Sequence, residues 1–265
     1  MAGVAGKVAL VTGAGSAGGI GFATARLLRA AGAKVAITST TDRIHERREE
    51  LGGSDGQSFA KPADLTDAAA VAELVKAVEA ALGPLDIVVN NAGMVQVGRD
   101  TPSLPLREVP DELWRYGLDI NLTSAFLMTR AVLPGMVARR YGRIVQMSSV
   151  TGPLVGIAGS SVYAAAKAGL MGMTRALAIE VGRHNVMVNC VAPGWIETAS
   201  SSEAEIVAGR HTPVGRAGTP EEVGHLAVFL ASEEASYITG QLFVVDGGNT
   251  IQEYKVALDT SADRA

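Results

Sequence analysis

The chain has 265 residues, of which 48% are hydrophobic and 19% charged, and this composition is typical of a folded globular protein rather than a disordered one. The net charge of -4 argues against a protein that binds a nucleic-acid backbone. The single cysteine, Cys190, excludes a disulfide within the chain, and the four histidines lack the paired spacing of a metal site, so no metal is predicted.

The sequence offers no targeting or membrane signal. The N-terminal residues run straight into a strand pattern without the shape of a signal peptide. No apolar run reaches the roughly 18 residues that a membrane span needs. We therefore expect a cytoplasmic protein that does not enter a membrane.

The first predicted elements form a nucleotide-binding pattern. Residues 7–12 are a short apolar run, as in a parallel sheet buried on both faces, and residues 22–31 have helical periodicity. Between them lies the turn Gly13-Ala-Gly-Ser-Ala-Gly-Gly19-Ile20-Gly21. Glycines in such a turn let the backbone approach a pyrophosphate, which then lies on the helix N-terminus. The pattern predicts dinucleotide binding, although a glycine-rich turn can also serve tight packing alone.

Strand and helix patterns alternate along the rest of the chain. Further strands are predicted at residues 34–39, 59–64, 85–89, 143–148, 186–192 and 241–245. Helices are predicted at residues 67–82, 111–138, 161–181 and 220–231, with Thr219 as the N-cap of the last and a shorter helical piece at 203–208. The alternation without repeats predicts one α/β domain over residues 1–265, with a core at about 7–248 and a tail at 249–265.

The chemistry is predicted to centre on Tyr163 and Lys167. They are separated by three alanines, so a helix places them on one face. An ammonium near a phenol lowers the phenol pKa, which would let Tyr163 give and take a proton. Ser149, just after a predicted strand, could hold a substrate oxygen beside it. Taken alone, the motif also fits a surface tyrosine and a solvated lysine.

The end of the second predicted strand bears on cofactor choice. Proteins of this pattern that prefer NAD place a carboxylate there to bind the ribose 2′-hydroxyl. This chain has Ser39 and Thr40 instead, followed by Arg43. Hydroxyls can bind a 2′-phosphate and Arg43 can supply a charge, so NADP(H) is favoured and NAD(H) remains possible. The alternative is that Ser39 only ends the strand and Arg43 is solvated.

Seen together, the motifs resemble those of the short-chain dehydrogenase/reductase family over about residues 7–248. In chain order they are Thr12-Gly13, Gly19-Ile20-Gly21, Asp64-Leu65, Asn90-Asn91-Ala92-Gly93, Asn121, Ser149, Tyr163-x-x-x-Lys167, Pro193-Gly194-Trp195-Ile196-Glu197-Thr198 and Asp246-Gly247-Gly248. The pattern is most similar to that of 3-oxoacyl-carrier-protein reductases and related ketone/alcohol dehydrogenases. The resemblance implies a doubly wound Rossmann fold with a parallel seven-stranded sheet and helices on both faces. It also implies a homotetramer packed through the helices around residues 113–137 and 163–181.

The same resemblance implies residue roles in interconverting a ketone and a secondary alcohol. Tyr163 is the general acid/base, Lys167 lowers its pKa, Ser149 orients the substrate oxygen and Asn121 holds a water chain to solvent. The implied cofactor-binding residues are Gly13, Gly19, Ile20, Gly21, Asp64, Leu65, Asn91, Ala92, Gly93, Tyr163, Lys167, Pro193, Gly194, Ile196 and Thr198. The implied substrate is a 3-oxoacyl thioester or an apolar or aryl ketone, and an acyl carrier protein is a possible partner. The basic pair Arg139-Arg140 could contact an acidic carrier protein, and the alternative is that it only forms a solvated helix end.

Several alternatives stay open. Five residues separate Gly13 from Gly19, where the family usually has three, so Gly15 and Gly18 have no assigned role. Ser148, Ser160 and Ser161 compete with Ser149. A non-enzymatic nucleotide sensor has the same fold, and Ser16 with His225 and a late aspartate would suggest a serine hydrolase. The expected substrate wall comprises Met94, Val95, Val97, Leu154, Val155, Ile157 and Trp195.

Overall fold

The fold is built on one parallel sheet. The computed structural model describes residues 3–53, 55–93 and 102–253. The strands are β1 (Val8–Thr12), β2 (Lys34–Thr38), β3 (Ser58–Ala60), β4 (Ile87–Asn90), β5 (Gly142–Met147), β6 (Val186–Pro193) and β7 (Leu242–Val245). They are ordered β3-β2-β1-β4-β5-β6-β7 and every neighbouring pair is parallel. The predicted seven-stranded sheet is thus confirmed, except that the third strand ends at Ala60 and is shorter than predicted.

Helices cover both faces of the sheet. In the described residues they are α1 (Ile20–Ala30), α2 (Arg43–Glu50), α3 (Ala68–Leu82), α4 (Asp111–Leu118), α5 (Ser124–Arg139), α6 (Ser161–Val181), α7 (Glu203–Arg210) and α8 (Pro220–Leu230). One core cluster joins α1 and α8 to the sheet, and the other joins α3, α5 and α6 to it. Side chains of β1 alternate between the clusters, as the period of a strand requires.

The predicted helix over residues 111–138 is continuous but not uniform. A π-helical turn, Asp119–Thr123, separates α4 from α5. One 18-residue window of this stretch has a mean hydropathy of 1.2, enough by length and composition to cross a membrane, but half of the window is buried inside the protein. The stretch packs on the sheet as a core helix. Its widened turn was not predicted, and it carries Asn121.

Helix ends follow the capping chemistry in two places near the site. Thr219 caps α8 in a capping box with Glu222, as the N-cap prediction required. Ser202 and Glu205 form a second capping box at the start of α7, which the sequence analysis did not identify. Helix α2 was also not predicted, because only Ile44 on it is buried and its apolar periodicity is weak.

The strand order places a crevice above β1 and β4. The chain leaves β1 towards β2 on one side and reaches β4 on the other, so the connections diverge at the carboxyl ends of these two strands. Ligands of doubly wound sheets bind at such a switch point.

Candidate active site

A cavity of about 940 Å³ opens at the carboxyl ends of β4, β5 and β6. Its lining includes all four predicted catalytic residues: Asn121, Ser149, Tyr163 and Lys167. It also includes the predicted cofactor-binding residues Ile20, Asn91, Gly93, Pro193, Gly194, Ile196 and Thr198. Residues far apart in the chain therefore meet in one site, because most of them follow a strand or lie near the start of a helix at this edge of the sheet, and Asn121 joins them from the π-helical turn.

Tyr163 and Ser149 form the polar centre of the cavity. The Ser149 hydroxyl accepts a hydrogen bond from N of Thr151 at 3.1 Å, which fixes its position. Burial raises the pKa of Tyr163 above its usual value, a hydrogen bond with Ser149 opposes this, and the negative charge of Glu205 adds to it. The sequence-based expectation of a lowered pKa is therefore wrong for this geometry. Nζ of Lys167 lies 5.5 Å from the centroid of the Tyr163 ring, and burial of the phenol is the largest cause of the shift in its pKa.

Lys167 is buried on α6 and held by backbone groups. Its Nζ donates to O of Met147 at 2.9 Å, and its own carbonyl accepts from the Ser148 hydroxyl at 2.8 Å. Burial lowers the pKa of Lys167 to about 8. The residue is thus a positioned ammonium at neutral pH that loses its charge only slightly above it.

Asn121 lies in the π-helical turn beside Lys167. Its Nδ2 donates to O of Gly117 at 3.0 Å. A Cβ atom added at Gly93 would lie 2.8 Å from Oδ1 of Asn121 and 3.3 Å from Nζ of Lys167, so the amide and the ammonium converge on this glycine. Widened helical turns are common at functional sites, and here the turn brings an amide close to the buried Lys167.

The competing serines occupy different positions from Ser149. Ser148 is buried, and its hydroxyl donates a hydrogen bond to the backbone carbonyl of Lys167. The Ser161 hydroxyl is buried without a partner in the described part of the chain, while Ser160 lines the cavity next to α6. Among these four serines, Ser149 is the one that affects the pKa of Tyr163, so it is the serine best placed to share a substrate oxygen.

The glycine turn is shaped for close backbone approach. Gly13 has φ of +67°, a conformation that favours glycine. A Cβ at Gly21 would come within 2.5 Å of Nδ2 of Asn91, and that amide donates to the carbonyl oxygens of Thr12 and Gly13, each at 3.1 Å. Gly19 is the N-cap of α1 and supplies no side-chain cap, so the first N–H groups of the helix are open to a ligand. These features fit a pyrophosphate.

The two extra residues of the turn connect it to its neighbours. Gly15 lies against the Ser39 side chain, where a Cβ would come 2.9 Å from Cβ of Ser39. Gly18 faces Ala199 in the loop before α7, with 3.6 Å from its ideal Cβ to N of Ala199. The longer turn therefore spans from the end of β2 to the loop that covers the cavity.

A second cavity of about 190 Å³ lies beyond the glycine turn. It brings together Gly13, Ser39, Thr40, Arg43, Leu65, Ala92 and Gly93, all predicted cofactor-binding residues. Arg43 is exposed, and within the described ranges no carboxylate pairs with it. Asp64 does not line this cavity, because its carboxylate accepts from N and Oγ1 of Thr66 in a local turn. Of the predicted adenine-binding pair Asp64 and Leu65, only Leu65 lines this cavity.

The substrate wall differs in part from the prediction. Val155, Ile157 and Trp195 line the larger cavity, whereas Leu154 does not and is half-exposed. Met94, Val95 and Val97 lie outside the described residues. Sequence motifs did not reveal that the wall also contains Glu205, Val207, Ala208 and His211 from α7 and its end, and Asn249 and Gln252 from the C-terminal turn. The helical piece predicted at residues 203–208 was the sequence signal for α7, but it did not place the helix at the cavity.

The residues of the hydrolase alternative are not assembled into a triad. Ser16 lines the smaller cavity, and His225 is exposed on α8. The Asp246 carboxylate accepts from N of Gly248 and N of Thr250. Each residue thus serves a different part of the fold.

Comparisons with known proteins agree with this geometry. A family model described as "Enoyl-(Acyl carrier protein) reductase" matches residues 13–250. Oxidoreductase UcpA of Escherichia coli K12 is 37% identical over 96% of this chain and 98% of its own. The 3-oxoacyl-[acyl-carrier-protein] reductase FabG of Vibrio cholerae is 42% identical over 92% of this chain and 97% of its own.

Solved structures give the same assignment. A mutant of a Serratia marcescens short-chain dehydrogenase/reductase superposes with a TM-score of 0.83 and 32% identity, covering 93% of this chain and 99% of that one. A putative gluconate dehydrogenase from Agrobacterium tumefaciens superposes with a TM-score of 0.85 and 31% identity, covering 94% of this chain and 97% of that one. Fold, site and relatives lead to one conclusion: the chain is an oxidoreductase of the short-chain dehydrogenase/reductase family.

Proposed function

We propose that the protein reduces a ketone to a secondary alcohol with a nicotinamide cofactor, NADP(H) in preference to NAD(H). The observation that carries the proposal is the shared cavity, in which the Ser149 and Tyr163 hydroxyls interact and the buried Lys167 and the Asn121 amide also lie. Two hydroxyls that meet at one point suit a single oxygen atom, as in a ketone. A sensor without chemistry would have no use for this arrangement.

Each side chain has one step in the reaction. The cofactor, when bound, supplies the hydride that adds to the carbonyl carbon, and the protein supplies the rest. Ser149 donates a hydrogen bond to the carbonyl oxygen, and Oη of Tyr163 transfers its proton to that oxygen as the hydride arrives. The Lys167 ammonium stabilises the resulting phenolate. Asn121 is placed to hold a water chain from Lys167 to solvent, and a proton returns to Tyr163 through that chain.

The ionisation of the site favours the reductive direction. Burial raises the pKa of Tyr163, so the phenol is protonated at neutral pH and can act as an acid. Oxidation of an alcohol needs the phenolate, which this environment disfavours.

The walls of the cavity support an apolar ketone or a 3-oxoacyl thioester as the substrate. Val109, Val155, Ile157 and Trp195 provide apolar surface beside the catalytic pair. The FabG relatives are named as 3-oxoacyl-[acyl-carrier-protein] reductases, which favours the thioester. Arg139 and Arg140 do not support carrier-protein docking, because they bind the carbonyls of Leu85 and Arg183 near the amino ends of the strands, away from the cavity.

A spectrophotometric panel tests the proposal. Aryl ketones, 3-oxobutanoate esters and 3-oxoacyl thioesters are each mixed with NADPH and with NADH, and the loss of absorbance is followed. An enoyl thioester serves as the comparison for reduction of a carbon–carbon double bond. Oxidation of NADPH by at least one ketone supports the proposal, whereas turnover with the enoyl thioester alone contradicts it.

Cofactor choice depends on Arg43. Substitution Arg43→Ala should raise the Michaelis constant for NADPH roughly fivefold, as expected for one exposed charge-assisted contact to a phosphate. The constant for NADH should change little, because a ribose hydroxyl carries no charge for Arg43 to bind. Initial rates with each cofactor, at a saturating ketone concentration, measure both constants.

Arg43→Lys provides the matched control. It keeps the charge and should retain most of the preference for NADPH. Equal effects of Arg43→Ala on the two cofactors, or a wild-type enzyme that prefers NADH, would refute the choice of NADP(H).

Assembly as a homotetramer through α5 and α6 is the remaining proposal. Phe126 on α5 is 41% exposed and Ile179 on α6 is 86% exposed, and large apolar side chains on helices call for a covering surface. Met171 on α6 is buried within the chain, and Leu122 packs against α6 at Gly169. Light scattering at micromolar concentration should give a molar mass four times that of the 27.3 kDa chain. The substitution Phe126→Glu should lower this molar mass.

Leu106→Glu is the control for an apolar-to-acidic change, because Leu106 is exposed outside these helices. It should leave the mass unchanged. A monomeric wild-type protein would contradict the proposed assembly.

A further inference from the structure

The wall formed by α7 introduces a negative charge into the catalytic cavity. Among the described residues that line the cavity, Glu205 is the only carboxylate. The other titratable side chains there are Tyr163, Lys167 and His211. None of the motifs of the family accounts for Glu205.

Glu205 is held in place by its own helix. Its Oε2 accepts from N of Ser202 at 2.8 Å and from Oγ of Ser202 at 2.9 Å, while N of Glu205 donates back to that hydroxyl. The side chain is half-buried. In the described part of the chain, no lysine or arginine forms an ion pair with it. A fixed carboxylate without a neutralising cation keeps its field in the cavity.

The field of Glu205 reaches the reacting groups. Its charge raises the pKa of Tyr163, so the carboxylate and the phenol are close enough to interact. Lys167 is the one lysine or arginine among the described lining residues, and it is buried and bonded to O of Met147. Glu205, by contrast, lies on α7 with Val207 and Ala208, which form apolar surface for the body of a substrate.

We propose that Glu205 selects the substrate by charge: the site takes uncharged ketones and thioesters and rejects ketones that carry a carboxylate. The inference rests on the proposed ketone reduction and specifies its substrate class. A carboxylate on the substrate would meet a like charge across a cavity of low polarity, which costs binding without affecting a neutral analogue.

A pair of substrates that share the 3-oxobutanoyl group tests the proposal. Ethyl 3-oxobutanoate is neutral and 3-oxobutanoate is anionic, and the ratio of their kcat/KM values reports charge selection. The wild type should favour the ester, and Glu205→Gln should raise the acid-to-ester ratio on the order of tenfold, the effect of removing one like charge at short range. Glutamine also serves in a capping box, so α7 should stay folded. Any effect on Tyr163 acts on both substrates and cancels in the ratio.

Glu203→Gln is the matched control. Glu203 lies in the same first turn of α7, is exposed and does not line the cavity. This variant should keep the wild-type ratio. An unchanged acid-to-ester ratio in Glu205→Gln would overturn the proposal.

A binding measurement decides the question without turnover. Trp195 lines the cavity, so its fluorescence in a Trp114→Phe background should respond to ligands that enter. The wild type should bind the ester more tightly than the acid. In Glu205→Gln the difference between the two dissociation constants should be smaller. Equal affinities in the wild type would contradict charge selection. Absence of turnover with every ketone would refute the proposed function, while this titration would still test Glu205.

Discussion

Tyr163→Phe is expected to reduce ketone turnover on the order of 10²–10⁴-fold, the contribution of one general acid. The substitution removes only the phenol oxygen and keeps the ring that packs near Lys167. The proton donor is lost, whereas the glycine turn, Arg43 and the cavity wall are untouched. Steady-state rates with saturating NADPH measure the loss, and NADPH fluorescence should give an unchanged dissociation constant.

Tyr237→Phe is the control for removing a phenol. Tyr237 is fully exposed and far from any assigned role, so its variant should turn over at the wild-type rate. Turnover of Tyr163→Phe within a few fold of the wild type would show that another group supplies the proton.

The fold follows from local patterns that the sequence displays directly. The apolar runs predicted the strands, because parallel strands buried on both faces need continuous apolar residues. Thr219 and Pro220 predicted the start of α8 because a cap and a fixed φ act within one turn. The π-helical turn at Asn121 could not be predicted in this way, since the patterns of an α-helix and of a single widened turn are nearly the same.

The candidate site was predictable where motifs mark it. Ser149, Tyr163 and Lys167 meet as expected, because strand ends and helix starts share one edge of the sheet. The pKa of Tyr163 was not predictable, since it depends on burial and on the distance to Lys167, which only the packed structure defines. Glu205 was missed for a similar reason: the short helix α7 reaches the cavity through tertiary packing rather than through a sequence motif.

Lys167→Met should lower kcat/KM for ketone reduction on the order of 10²–10³-fold, the usual effect of removing one group that stabilises charge in a transition state. Methionine has similar length and no charge, so the buried position stays filled while the phenolate loses its cation. In the wild type, reduction should also weaken as pH rises above about 8, where Lys167 becomes neutral. Rates measured between pH 6 and 9.5 test both statements.

Lys167 affects stability with the opposite pH dependence: ketone reduction should weaken as pH rises, whereas the contribution of Lys167 to the free energy of unfolding should increase. In the folded protein, burial lowers the pKa of Lys167 from 10.5 to about 8. Between these values the unfolded chain holds a proton that the folded one does not, so this lysine makes the free energy of unfolding rise with pH. Below about pH 8 the folded protein bears the cost of a buried cation, and Lys167→Met removes it. The difference in Tm between the variant and the wild type, variant minus wild type, should therefore decrease from pH 7 to pH 9.5. Other groups titrate equally in both proteins and cancel in the difference, so a constant difference across this range would show that Lys167 is not charged and buried as the structure indicates.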